Sequence, residues 1–297
     1  MIAAIPIKTV RKTAVVEFLQ AVGHYTFLQY ALLASLLASV ACGVVGSYVV
    51  VRRITYIAAG IAHSVLGGLG LAHYLAVVHG WTWLTPVMGA VVAALAAAMT
   101  IGWVTLRAAQ REDTVIGAIW AIGMASGILF VSQTPGYNQE LMSYLFGNIL
   151  MVGAADLWQM LALDVVILVI VYLLHSRFLA VCFDDEFTRV RGLRVELYFL
   201  LLLALTALTV VTLVMVVGVV LVIALLTIPV AIAGRFTRTM GPMMVLAVLV
   251  SMAITVAGLA LSYQPNLPAG ATIVLVAGGA FLVVWGGERI GKVLRSR

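Results

Sequence analysis

Charge is scarce in this sequence: 9% of its 297 residues are Asp, Glu, Lys or Arg, against 64% hydrophobic. Soluble globular domains carry about a quarter charged residues, so composition alone excludes that class. Cysteine is scarcer still. Cys42 sits inside an apolar run and Cys182 beside acidic residues, which excludes a disulfide framework and a paired-cysteine metal motif. No Gly-x-x-x-x-Gly-Lys-Ser/Thr phosphate loop occurs, and Gly234-Arg-Phe-Thr and Ala277-Gly-Gly-Ala280 lack its lysine, so ATP hydrolysis by that route is excluded. The His-Glu-x-x-His pair of an intramembrane metalloprotease is missing too. Met1 to Val16 place Lys8, Arg11 and Lys12 among apolar positions without a continuous apolar core leading to a cleavage site, so no cleaved signal peptide is expected.

What the chain has in abundance is long apolar runs, with a mean hydropathy of +1.18. Runs of about 20 apolar residues cross the hydrocarbon core as helices. Nine are predicted, over residues 28–51, 54–78, 85–106, 114–133, 156–174, 196–216, 217–234, 241–262 and 270–287. Between the sixth and seventh, Val216-Val217-Gly218 fits a tight turn or a broken helix equally. Gln139 to Leu150 is apolar but short, and reads as an interfacial or re-entrant helix. The fold class expected is an all-α polytopic membrane protein.

The net charge of +6 would fit nucleic acid in a soluble chain, but here the basic residues cluster at the ends of spans. Arg52, Arg53, Arg107, Arg111, Arg177, Arg189, Arg191, Arg194, Arg235, Arg238, Arg289, Lys292, Arg295 and Arg297 fall on one side if the nine spans alternate. That side is cytoplasmic by the positive-inside rule. The loops His79 to Leu84, Gln133 to Asn138 and Tyr263 to Ala269 carry no Lys or Arg, which places the N-terminus outside and the C-terminus inside. Lys8, Arg11 and Lys12 break the pattern, and residues 1–26 are read as an interfacial extension on the outer surface. Residues 27–288 form the transmembrane domain and 289–297 a basic cytoplasmic tail.

His63 is the ionisable residue that stands out. Intramembrane ionisable groups are costly and usually face a polar cavity, and a neutral imidazole is a good transition-metal ligand. Gly67, Gly68 and Gly70 follow it, allowing close helix approach or leaving room for a polar path. Glu140 and Asp164 are further candidate ligands, either of which has a bland alternative at the surface or bonded to a neighbouring helix. His73 reads as interfacial. Between His175 and Glu196 the chain is polar; Asp184, Asp185 and Glu186 ahead of Arg189, Arg191 and Gly192 suit a short helix with acid at its start, base and glycine at its end.

Six ordered blocks resemble the permeases of bacterial ABC importers for zinc, manganese or iron: Gly46 to Arg53, Ala62 to Gly68, Glu112 to Gly117, Ser143 to Leu150, Phe183 to Leu193 and Val217 to Pro229. The resemblance covers Phe27 to Val284. It implies a permease fold of the cobalamin-permease type and ATP-driven import of a divalent metal received from an extracytoplasmic binding protein. It also implies two copies of a separate ATPase, a homodimer of this chain in the bacterial cytoplasmic membrane, and no bound cofactor. The 183–193 block then corresponds to a coupling helix, with Phe183 and Phe187 giving apolar contact to the ATPase and Asp184, Asp185, Glu186, Arg189 and Gly192 setting its register. One departure stands out. Many of these permeases have Asp one turn before the central His, where this chain has Ala59, which removes a hard oxygen ligand. A metal-chelate permease and a cation-coupled secondary transporter, for which Asp164 speaks, are the alternatives.

Overall fold

The computed structural model describes residues 18, 20–107, 112–135, 147, 149–263, 265 and 267–295. Among the described residues nine helices are long and apolar enough to cross a membrane. They are α1 (Thr26–Val51), α2 (Thr55–Val78), α3 (Pro86–Arg107), α4 (Glu112–Ser132), α5 (Ala154–Phe183), α7 (Val195–Val214), α8 (Val217–Phe236), α9 (Met240–Tyr263) and α10 (Ala269–Arg295), with the short α6 (Asp185–Val190) after α5. No strand occurs among the described residues. Their polar side chains are largely satisfied within the helices: Thr206 and Thr209 each donate to the carbonyl four residues back, as backbone in lipid also must.

Contacts fix the relative direction of the helices. Gly60 packs on Ile116 and Gly70 on Gly127, so α2 and α4 run parallel. Gly68 packs on Gly89 while Gly60 nears Ile101, so α3 runs against α2. Ser39 lies 3.4 Å from Thr255 and Gly43 meets Val248, so α1 and α9 are antiparallel. Each relation is the one that alternating spans require.

Gly218 decides the question left open at the sixth span. With φ 78 and ψ 160 it interrupts the helix between α7 and α8 in a region open to glycine. The break is a reversal. Arg52 lies over the ring of Phe199, 5.4 Å from its centroid, and Gly46, within two turns of Arg52 on α1, packs on Leu226 and Val230. A continuous helix would separate residues 199 and 228 by about 44 Å, at 1.5 Å per residue, so both can meet one end of α1 only if the chain turns back. Gly147, at φ 72, sits against the backbone of Val217 and Gly218 at that turn.

Two expected boundaries are wrong, one of them that of the ninth span, expected to end near residue 287, where α10 continues to Arg295. The fifth span was expected to end near residue 174, but α5 continues for another nine residues to Phe183. The polar residues that argued for an end there find partners on other helices: His175 Nδ1 is 2.6 Å from Tyr48 Oη, and Arg177 covers the ring of Tyr198. A 30-residue helix is about 45 Å long, more than the hydrocarbon thickness, so α5 carries α6 beyond the apolar layer. Most of the predicted short helix at 139–150 lies outside the described residues, as do Lys8, Arg11 and Lys12; Ile149–Met151 forms one 3₁₀ turn. From the N-terminal extension, Phe18 is buried edge-on against Tyr263 at the end of α9.

Candidate metal pathway and coupling surface

Small residues bring α2 into backbone contact with two helices. A Cβ on Gly68 would press on the Gly89 carbonyl of α3, and one on Gly89 would press back on Gly68. A Cβ on Gly123 would lie 2.5 Å from the Cα of Ser64, while Gly67 and Gly70 meet Gly123 and Gly127 of α4. The three glycines of α2 therefore serve helix packing, by the close approach that small residues allow. Gly67 and Gly68 also border a cleft of about 430 Å³ between α2, α3 and α4, lined by Ser64, Gly123, Ser126 and Phe130 among others. Ser64 and Ser126 direct their hydroxyls to carbonyls of their own helices, so the cleft wall is predominantly apolar.

That packing sets His63 beside α4. Its imidazole stacks on the indole of Trp120, centroids 4.1 Å apart, and the residue is partly buried. Trp120 is held in turn: its Nε1–H points to Met124 Sδ at 3.1 Å, and Tyr56 covers it at 6.2 Å. His63 Nδ1 is shielded from solvent and has no hydrogen-bond partner among the described residues. A buried polar atom left in that state calls for an explanation, and an imidazole nitrogen is a metal donor. Ala59, one turn earlier on α2, is buried and offers no ligand. Among the described residues no three His, Cys, Asp or Glu side chains gather as a metal cage.

Asp164 is elsewhere. It is 4% exposed in the seam of α5 with α1, within coulombic reach of Cys42, and its Oδ2 has no hydrogen-bond partner among the described residues. His63 faces α4, so the structure places these two candidates in different seams. Glu140 lies outside the described residues.

The acidic and aromatic residues of the 183–193 segment divide into three roles. Asp184 caps α6, its Oδ1 accepting from Phe187 N–H at 2.9 Å, a bond worth about 1 kcal/mol in such caps. Asp185 turns back to Arg52 at 2.6 Å, and Arg189 pairs with Glu196 at 2.7 Å. Gly192, at φ 75, ends the unit in the left-handed conformation common after helices. Phe183, Phe187 and Val190 are left exposed, at 69%, 53% and 85%, with Arg191 over the Phe187 ring. Val190 was not expected, although its spacing of three from Phe187 on the short helix was visible in the sequence. Trp120 was also missed: only the parallel packing of α2 on α4 makes it a neighbour of His63.

Known proteins are similar to this chain over most of its length. An uncharacterised membrane protein of Synechocystis is 44% identical over 273 residues, 92% of this chain and 95% of that protein. The manganese transport system membrane protein MntC of Listeria monocytogenes is 33% identical, covering 90% and 93%. Among solved structures, PsaBC from Streptococcus pneumoniae in complex with Fab superposes with a TM-score of 0.81 at 29% identity, over 91% of this chain and 95% of that one. With the family model of the ABC 3 transport family matching residues 24–286, this chain belongs to the ABC 3 transport family.

Proposed function

We propose that the chain is the transmembrane subunit of an ATP-driven importer that moves a divalent transition-metal ion into the cytoplasm, with manganese or zinc as the favoured ions and iron as the third. The observation that carries the reading is the buried, unpartnered Nδ1 of His63 in a chain of this family, held by Trp120 at the side of a seam of small residues. Manganese gains weight from the naming of the Listeria relative. One imidazole is too few ligands for a divalent ion, so the site is completed by a second copy of the chain around a shared path, or by Glu140.

Energy enters through α6 in this reading. Two copies of a separate ATPase dock on Phe183, Phe187 and Val190, and an extracytoplasmic binding protein delivers the ion to the opposite face. The chain lies in the bacterial cytoplasmic membrane with α6 and the C-terminus inside, as the basic residues at those span ends favour. ATP-driven closure of the ATPases tilts the helices about the site. The test is reconstitution of the purified complex in proteoliposomes with radioactive manganese, zinc and iron. ATP-dependent accumulation that His63→Ala abolishes is expected. Equal accumulation without ATP, driven by an imposed ion gradient, overturns the reading in favour of a secondary transporter.

A further inference from the structure

Arg52 ends α1 and touches two further elements. Its guanidinium donates from Nη2 to Asp185 Oδ2 at 2.6 Å and lies over the ring of Phe199 at the start of α7. Asp185 is the first residue of α6, and its second oxygen, Oδ1, is shielded from solvent without another hydrogen-bond partner among the described residues. The carboxylate is thus engaged by Arg52, whereas Phe183, Phe187 and Val190 have no such tie and are exposed. One residue on, Arg53 has φ 61, a left-handed backbone that non-glycine residues seldom adopt. Backbone bonds from Arg53 N to Val50 O and from Ile54 N to Val49 O lock that corner, and α2 begins directly after it. His63 is two turns further along α2.

A second contact, one turn earlier on α1, ties that helix to α5. Tyr48, fully buried, binds His175 of α5 through its hydroxyl at 2.6 Å and packs edge-on against Phe178. The end of α1 is therefore held at two points, by α5 at Tyr48 and by α6 at Arg52. The inner point is largely buried; the outer one is a partly exposed ion pair, of a type that contributes little to stability.

We propose that the Arg52–Asp185 ion pair transmits movement of α6 to the locked α1–α2 corner, and so to His63, making Asp185 and Arg52 positioning residues rather than part of the ATPase contact. The proposal rests on α6 being the ATPase-docking helix. A tilt of α6 about the Tyr48 contact pulls on Arg52, and the corner, closed by its own hydrogen bonds, moves with α2 instead of unwinding. Severing the pair leaves docking and hydrolysis in place but disconnects them from the pathway.

The experiment uses the permease–ATPase complex in proteoliposomes and reads radioactive manganese moved per ATP hydrolysed. Asp185→Asn and Arg52→Gln should each lower that ratio about tenfold, within the range of coupling between distant sites, with ATPase association unchanged. Asp185→Glu, which restores the charge, should recover most of it. A parental ratio in Asp185→Asn overturns the proposal, as does loss of ATPase association in that variant or failure of Asp185→Glu to recover. Phe187→Asp separates the two readings: if it leaves the complex intact, the docking assignment itself fails, whereas dissociation together with normal coupling in Asp185→Asn sinks the link alone.

Discussion

The imidazole of His63 lies flat against the indole of Trp120, with their planes inclined by 7°. The stack covers one face of the imidazole and leaves its in-plane nitrogens to define direction, as the groups behind a metal ligand commonly do. We predict that His63→Ala lowers manganese uptake by about 10- to 100-fold, and that Trp120→Leu, which keeps the ligand but frees its ring, lowers it by about tenfold, the cost typical of removing such support. Ala59→Asp adds a carboxylate on the same helical face and should tighten divalent-ion binding while slowing release. Equilibrium binding and initial uptake rates, measured on membranes with matched abundance, check all three. Parental uptake by His63→Ala across the three metals would make His63 a packing residue.

Backbone contact between α2 and α3 makes a different forecast for the glycines. Gly68 and Gly89 each lie where the other's carbonyl would meet an added methyl, and neither backbone can move without carrying its helix. Gly68→Ala should therefore destabilise the protein by about 1–3 kcal/mol, the usual cost of overpacking. Gly278→Ala, where an added Cβ meets nothing within 4 Å, serves as control. Thermal unfolding in detergent should lower the midpoint for the first and leave the second unchanged; equal midpoints would mean that the seam is loose.

For the 183–193 segment, the divided roles of its acids choose the variant. Reversing Asp184 removes the cap on Phe187 N–H and so tests whether α6 forms, which says little about docking. Val190→Glu and Phe187→Asp alter exposed side chains only, and should weaken ATPase association by about tenfold or more, as expected when an apolar anchor is replaced by charge. Co-purification and stimulated ATP hydrolysis measure it. Unchanged subunit ratios in both would remove this surface from the interface.

Hydropathy made nine spans legible because lipid imposes length and apolarity on each helix separately, and the arginine asymmetry made their alternation legible too. The end of α5 was hidden, since His175 and Arg177 look like solvent-facing polar residues until Tyr48 and Tyr198 arrive from other helices. The reversal at Gly218 was visible as a break, but its sense needed the contacts of Arg52 and Gly46 with α7 and α8. Around the candidate site, His63 was readable as an ionisable group in an apolar run. Trp120 was not, because a parallel pair of helices separated by α3 leaves no local pattern. Asp184, Asp185 and Glu186 read as one acidic block, and only the structure assigns a cap to the first and a tie to Arg52 to the second.

Sidedness can be tested on the native chain without removing its cysteines. Cys42 and Cys182 are both buried, and a thiol must be exposed as well as ionised to react. The parental protein should therefore stay unlabelled by an impermeant maleimide. Trp83, 66% exposed between α2 and α3, and Val190, 85% exposed on α6, lie at opposite ends of α2 and its neighbours by the observed alternation. Because Arg52, Arg189, Arg191 and Arg194 share the end of α6 and the loop of Trp83 has no Lys or Arg, we predict that Trp83→Cys is labelled in intact cells and Val190→Cys only after permeabilisation. The reverse pattern would invert the protein in the membrane and place the proposed ATPase surface outside. Labelling of both in intact cells would mean that α6 and the 79–85 loop share one side, which nine alternating spans cannot accommodate.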